Sequence, residues 1–218
     1  MTPLAITGIH TGIGKTVSAA ALTQALQCDY WKPIQAGELD NSDSMIVQRL
    51  LSQSNSRVFP EAFRLKTAAS PHIAAQIEGI HIDIASLKAP NSTETPLLIE
   101  TAGGVMSPVT ANDTVADLLA HHGWPTVLVV QHYLGSINHT LSAIESLKAR
   151  QVTVIGLIIN GNALESSETF IAAYSGLPIL ARVPLFTSLD AKSIAKVSQQ
   201  ISAELNPALR PWQRRSER

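Results

Sequence analysis

Cysteine is nearly absent from this chain: Cys28 stands alone among 218 residues. A lone thiol excludes an internal disulfide framework and fits a reducing compartment. As a free cysteine it reads as a small buried hydrophobe. Charge is scarce as well. Lys and Arg number 16 against 17 Asp and Glu, 15% of the chain together, for a net charge of −1. Such a balance offers no basic stripe, so nucleic acid is not the expected partner. No apolar run approaches the roughly 20 residues that span a bilayer. The N-terminus shows no basic segment leading into a long apolar stretch. Neither a membrane anchor nor a secretory leader is therefore expected, and the chain reads as cytoplasmic. Its length suits one domain, taken as residues 1–210. The basic, proline-led "PWQRRSER" at 211–218 is expected to fray.

Short apolar runs recur: "LAIT" (4–7), "YWKPI" (30–34), "PLLIE" (96–100), "TVLVVQ" (126–131), "TVIGLIIN" (153–160) and "ILARV" (179–183). Most are continuously apolar, the mark of strands buried on both faces. Helix-like stretches separate them at 15–27, 137–149 and 190–205, the last two with clear apolar stripes. "KAPNSTETP" (88–96) reads as a surface loop. The alternation predicts an α/β fold: a three-layer, P-loop NTPase-like domain with a mostly parallel sheet covered on both faces. Ligands of such sheets sit beyond the carboxyl ends of the strands. Four strand ends are expected in one crevice: residues 8–16, 32–37, 100–104 and 131–138.

The first of these ends carries "GIHTGIGKT" (8–16). It ends as a phosphate loop does, in Gly-Lys-Thr, but its first glycine is one position early for the standard spacing. The essential part, "GIGKT", is intact. Gly12 and Gly14 keep side chains out of the loop, so that backbone N–H groups and the helix dipole face an anion. Lys15 would reach the terminal phosphates of ATP, and the Thr16 hydroxyl would coordinate Mg²⁺. Glu100 closes an apolar strand beside glycines, a place suited to magnesium. Asp43, in "NSD", could complete that set or simply cap a helix. Lys32 closes the second strand in "WKPIQAG". A hydrolase needs only the loop lysine, so a second cation suggests a second anion beside the nucleotide. Two like charges about 4 Å apart repel by roughly 4 kcal/mol at an effective dielectric near 20. Two ammonium groups and a metal would offset that. A snorkelling surface lysine is the alternative for Lys32.

Taken in order, "GIHTGIGKT", "WKPIQAG", "NSD", "SPHIAA", "IETAGG", "LGSINH" and "IIN" resemble the dethiobiotin synthetases, from residue 4 to about residue 190. Each motif is modest alone; the ordered set is specific. The resemblance implies an ATP-dependent ring closure of diaminopelargonic acid with CO₂ or bicarbonate, with Mg²⁺ as cofactor and a homodimer as the working form. It also implies the site. Lys15, Lys32 and Thr11 would be catalytic. Gly12, Ile13, Gly14, Lys15, Thr16, Val17, Asn160 and Pro184 would bind ATP. Lys32, Ala36, Ser70 and Gly103 would line the substrate crevice. Gly135, Ser136 and Asn138 would hold the substrate's distant carboxylate from the partner subunit. Thr16, Asp43 and Glu100 would hold magnesium.

Three positions depart from the family's pattern. Ala36 replaces a small hydroxyl residue, so that one substrate hydrogen bond is expected to be either lost or supplied by Gln35. Thr101 replaces a glycine and is expected to crowd the diamine. His10 replaces an aspartate. His72 is a candidate substrate contact or a packing residue; His121, His122 and His132 read as structural, and His139 as orienting "LGSIN". Trp31 and Trp124 read as sheet-packing residues. Two rival families share the loop. Switch ATPases of the MinD/ParA kind carry a lysine five residues before the loop lysine, where this chain has His10. Glutamine-dependent cobyrinic-acid synthetases need a glutaminase domain, and these 218 residues include none.

Overall fold

A computed structural model describes residues 2–51, 55–91 and 95–214. Seven strands form one sheet: β1 (Leu4–Gly8), β2 (Asp29–Trp31), β4 (Val58–Phe59), β6 (Leu97–Glu100), β7 (Thr126–Val130), β8 (Val154–Asn160) and β9 (Ile179–Val183). Their order is β4-β2-β6-β1-β7-β8-β9, and every pair is parallel. The expected three-layer P-loop fold is present. The short β3 (Ile34–Ala36) and β5 (Phe63–Leu65) pair separately, also in parallel.

The strands are apolar throughout because both faces are covered. Leu4, Ile6, Leu98, Val127 and Val129 pack under α1 (Lys15–Leu26), α2 (Asp43–Leu50) and α7 (Ala191–Ala203). Ala5, Ile99, Leu128 and Val130 face α3 (Pro71–Glu78), α4 (Val115–His122), α5 (Ser136–Ala149) and α6 (Glu165–Ser175). Among the described residues, no helix is long and apolar enough to cross a membrane.

The expected second strand, 30–34, is two strands in different sheets. Pro33 has no N–H to give to a ladder, so β2 stops at Trp31. The Pro33 carbonyl instead accepts from Ala62 at 2.9 Å and Phe63 at 3.0 Å, which starts the small sheet. β4 and β5, of two and three residues, are too short to show a period. Of the expected surface loop at 88–96, residues 92–94 lie outside those described.

The expectation that the chain frays from residue 211 is corrected for 211–214. Pro207–Trp212 form a 3₁₀ helix. Trp212 is 9% exposed and packs into the α1/α7 side of the core. Its indole N–H donates to the Thr2 carbonyl at 2.9 Å, and the Arg214 N–H donates to Leu26 at 2.9 Å. The apolar area of one indole outweighs the polarity of its neighbours. Residues 215–218 lie outside the described chain. Trp212→Ala is expected to cost about 3 kcal/mol, lowering Tm in a thermal melt by roughly 6–12 °C. An unchanged Tm would mean the segment is not docked.

Candidate active site

The chain leaves β1 and enters α1 through the glycine loop. Gly12 and Gly14 take left-handed backbone angles, φ 79° and 83°. No side chain caps Gly14 at the start of α1, so the first N–H groups of the helix face outward, as anion binding requires. At Gly14 a Cβ would lie 2.1 Å from Asn160 Nδ2. That amide donates to the Ile13 carbonyl at 2.9 Å, tying the end of β8 to the loop.

Beside the loop is a cleft of about 690 Å³. It brings together most of the residues expected from sequence: Thr11, Gly12, Gly14, Lys15, Thr16, Val17, Lys32, Ala36, Asp43, Ser70, Glu100 and Gly103 all line it. Ile13 is fully buried beneath the loop and uses its carbonyl only. Asn160 is buried under the loop, and Pro184 is exposed just past β9; neither lines the cleft.

The fourth expected strand end does not join the other three. Gly135, Ser136 and Asn138 are not among the cleft residues. The sheet order supplies the reason. β1 lies between β6 and β7, so the cleft opens on the β6/β2 side of the loop and residues 131–138 stand on the other. There Tyr133 and His139 pack edge-on against His10, with ring centres 5.3 and 6.5 Å away, and the Tyr133 hydroxyl meets His139 Nδ1 at 2.6 Å.

Four charged groups meet at the cleft floor. Lys32, at 5% exposure, pairs with Asp43 and lies 3.4 Å from Glu100 Oε1. The Thr16 hydroxyl is 2.6 Å from Asp43 Oδ1 and 2.9 Å from Glu100 Oε1. A hydroxyl has one proton and cannot donate to both carboxylates. This oxygen set is hard, doubly anionic and one donor short, which fits Mg²⁺. Among the described residues no group of three or more His, Cys, Asp or Glu is placed to hold a metal. The set of Thr16, Asp43 and Glu100 therefore needs phosphate oxygens and water to complete a coordination shell.

The two lysines differ. Burial works against the Lys32 ammonium, but Glu100 and Asp43 outweigh it and raise its pKa above the usual lysine value. Burial also acts on Lys15, whose nearest partner is the neutral His10 carbonyl at 3.0 Å. Glu100 and Asp43 only partly compensate, the Lys32 charge adds to the burial effect, and the pKa falls to about 8. On the carboxylate side, burial disfavours the Asp43 anion, yet Lys32 and Thr16 pull its pKa below the usual range.

Several expectations are refined here. Gln35 does not stand free to replace a missing hydroxyl at Ala36. Its Nε2 donates to the Gly37 carbonyl at 3.0 Å, and its Oε1 accepts from the Asp43 N–H at 3.3 Å. Thr101 does not crowd the cleft; it is buried and donates to the Thr7 hydroxyl at 2.9 Å. His72 Nδ1 holds the Ser70 hydroxyl at 3.0 Å. His132, read as structural, sits 3.0 Å from Glu168, brought to it from α6. Tyr30, whose hydroxyl donates to Glu100 Oε2 at 2.8 Å, was not legible as a site residue, because only its place in an apolar strand is visible in sequence.

The low pKa of Lys15 makes a signed prediction for the ligand-free protein. The pKa is 10.5 for a free lysine and about 8 in the fold. Below pH 8 both states are protonated, and the fold bears the full cost of the buried charge. Between pH 8 and 10.5 the unfolded chain holds the extra proton, so this contribution to stability improves as pH rises. Lys15→Met is expected to stabilise by up to about 3 kcal/mol at pH 7, a Tm gain of up to roughly 6–12 °C. The gain should fade between pH 8 and 10.5; a gain constant with pH would trace to packing alone.

The chain matches the AAA domain family over residues 2–193. It is 44% identical over 191 residues to the ATP-dependent dethiobiotin synthetase BioD of Bradyrhizobium sp. (strain BTAi1), spanning 88% of this chain and 91% of that one. To the protein of the same name from Cytophaga hutchinsonii it is 46% identical over 178 residues, 82% and 86% of the two chains. Among solved structures, the cell division ATPase MinD of Pyrococcus furiosus superposes with a TM-score of 0.59 at 17% identity, over 94% of this chain and 100% of that one. At that identity the likeness concerns the fold.

Proposed function

Because the chain belongs to the ATP-dependent dethiobiotin synthetases, ligases that form a ureido ring, we propose that its cleft carries diaminopelargonic acid through a carbamate and a carbamic–phosphoric mixed anhydride. One substrate amine adds to CO₂ and loses a proton. The carbamate oxygen then takes the γ-phosphoryl group of ATP, and ADP leaves. The second amine attacks the activated carbonyl carbon, phosphate departs, and the ring closes with release of a proton.

The observation that carries this reading is the pair of buried ammonium groups, Lys15 and Lys32, in one cleft with two carboxylates. Two anions must meet in this reaction. Lys15 is the less compensated cation and takes the γ-phosphate, which restores the attraction that burial opposes. Lys32 bridges the carbamate and the transferring phosphoryl group. Thr11 and the N–H groups of residues 12–16 cradle the phosphates, with Val17 against the nucleotide. Thr16, Asp43 and Glu100 hold magnesium, which when bound neutralises phosphate charge.

Asn160 and Pro184 serve the adenine. Ala36, Ser70 and Gly103 line the diamine's path. A second copy of the chain supplies Gly135, Ser136 and Asn138 for the distant carboxylate, because in one chain these lie across the loop from the cleft. That makes the working form a homodimer, acting in the cytoplasm on free small molecules. The MinD-like alternative rests on fold likeness only.

ADP release is expected only when diaminopelargonate and bicarbonate are both present, with dethiobiotin appearing by mass spectrometry. ATP turnover indifferent to both would favour a switch ATPase. Lys32→Ala should lower turnover by at least about a thousandfold while nucleotide binding, read by calorimetry with magnesium, is largely retained. Loss of nucleotide binding itself would remove Lys32 from the carbamate.

A further inference from the structure

Glu100 closes β6 with no exposed surface, so both of its oxygens need partners inside the protein. Oε1 faces the Thr16 hydroxyl at 2.9 Å and Lys32 at 3.4 Å. Oε2 accepts from the Tyr30 hydroxyl at 2.8 Å. Tyr30 is fully buried on β2, in register with Leu98 of the neighbouring β6, and stands two residues before Lys32. Successive side chains on a strand alternate between faces. Tyr30, on β2, and Lys32, one residue past its end, therefore approach the same carboxylate, one at each of its oxygens. Core residues pack around the Tyr30 ring, which leaves its hydroxyl little freedom. A phenol is also a neutral donor. It orients the carboxylate without cancelling the charge a cation needs.

We propose that Tyr30 is a positioning residue for the magnesium site: its hydroxyl holds Glu100 by Oε2, so that Oε1 is presented to Thr16 and the metal. Without that bond Oε2 is a buried acceptor with no donor, and the carboxylate turns toward the Lys32 ammonium. This inference rests on the metal role given to Glu100 above. Outer-sphere partners of this kind typically alter metal affinity tenfold or more.

Tyr30→Phe removes one oxygen and keeps the ring. In the ADP complex, Mn²⁺ affinity measured by electron paramagnetic resonance is expected to fall about tenfold, with metal-free ADP affinity unchanged. The magnesium midpoint for turnover should rise while kcat at saturating magnesium largely returns. A lower Tm with unaltered Mn²⁺ affinity would show that Tyr30 only packs, and overturn the proposal. Glu100→Gln separates the two levels. If it leaves Mn²⁺ affinity intact, the metal role of Glu100 fails; if it weakens binding and Tyr30→Phe does not, only the positioning role fails. The wild-type protein offers a second readout that needs no variant to fold. It has three tyrosines, and with ¹³Cζ-tyrosine the Tyr30 resonance should move when magnesium joins the ADP complex. A resonance that stays put would count against the proposal.

Discussion

Two carboxylates and two ammonium groups share one rim of the sheet, and the candidate site is organised around that balance. Asp43 and Glu100 against Lys15 and Lys32 sum to zero formal charge in a buried place. An unpaired buried ion costs several kcal/mol, so removing Lys32, Asp43 or Glu100 unsettles its partners, whereas Lys15 carries a cost the others only partly offset. The sharing is unequal. Lys32 has both carboxylates within reach, whereas Lys15 rests against a backbone carbonyl. The poorly satisfied charge is the one on the phosphate loop. An incoming polyphosphate would therefore relieve a desolvation cost that the fold already bears.

The scaffold decides which groups can share that rim. Parallel strands all end at the same edge, so each βα loop contributes from the same side. The central β1 then divides the edge. Loops after β2 and β6 fall on one side of the phosphate loop and build the cleft; the loop after β7 falls on the other. One chain thus carries most of a site together with a separate helix N-terminus at Ser136, capped by Gly135 and by no side chain. In the proposed homodimer, a second copy facing the cleft would bring the two together.

Local chemistry sharpens the rim in small ways. Pro33 stops β2 at Trp31 and turns the chain into the small sheet, which leaves Lys32 between the two strands rather than within a ladder. Gln35 spends both ends of its amide on the turn that follows and on the start of α2, and so fixes where Asp43 begins its helix. Thr101 turns inward to Thr7. The side chain that replaces a glycine therefore joins β6 to β1 and leaves the cleft open.

What the amino-acid order determined alone is considerable. Continuous apolar runs marked the long strands, because a strand covered on both faces has no polar side to show. "GIGKT" marked the loop, because its glycines and lysine act over one local turn. Lys32, Asp43 and Glu100 were readable as strand-end and helix-start charges. Only the tertiary structure decided the rest. Tyr30 and Glu100 are 70 positions apart, and the place of residues 131–138 depends on strand order; no local period records either. The docking of Trp212 against Thr2 likewise joins the two ends of the chain. Composition alone made that segment a fraying tail, because burial of one indole is decided by what lies next to it in space.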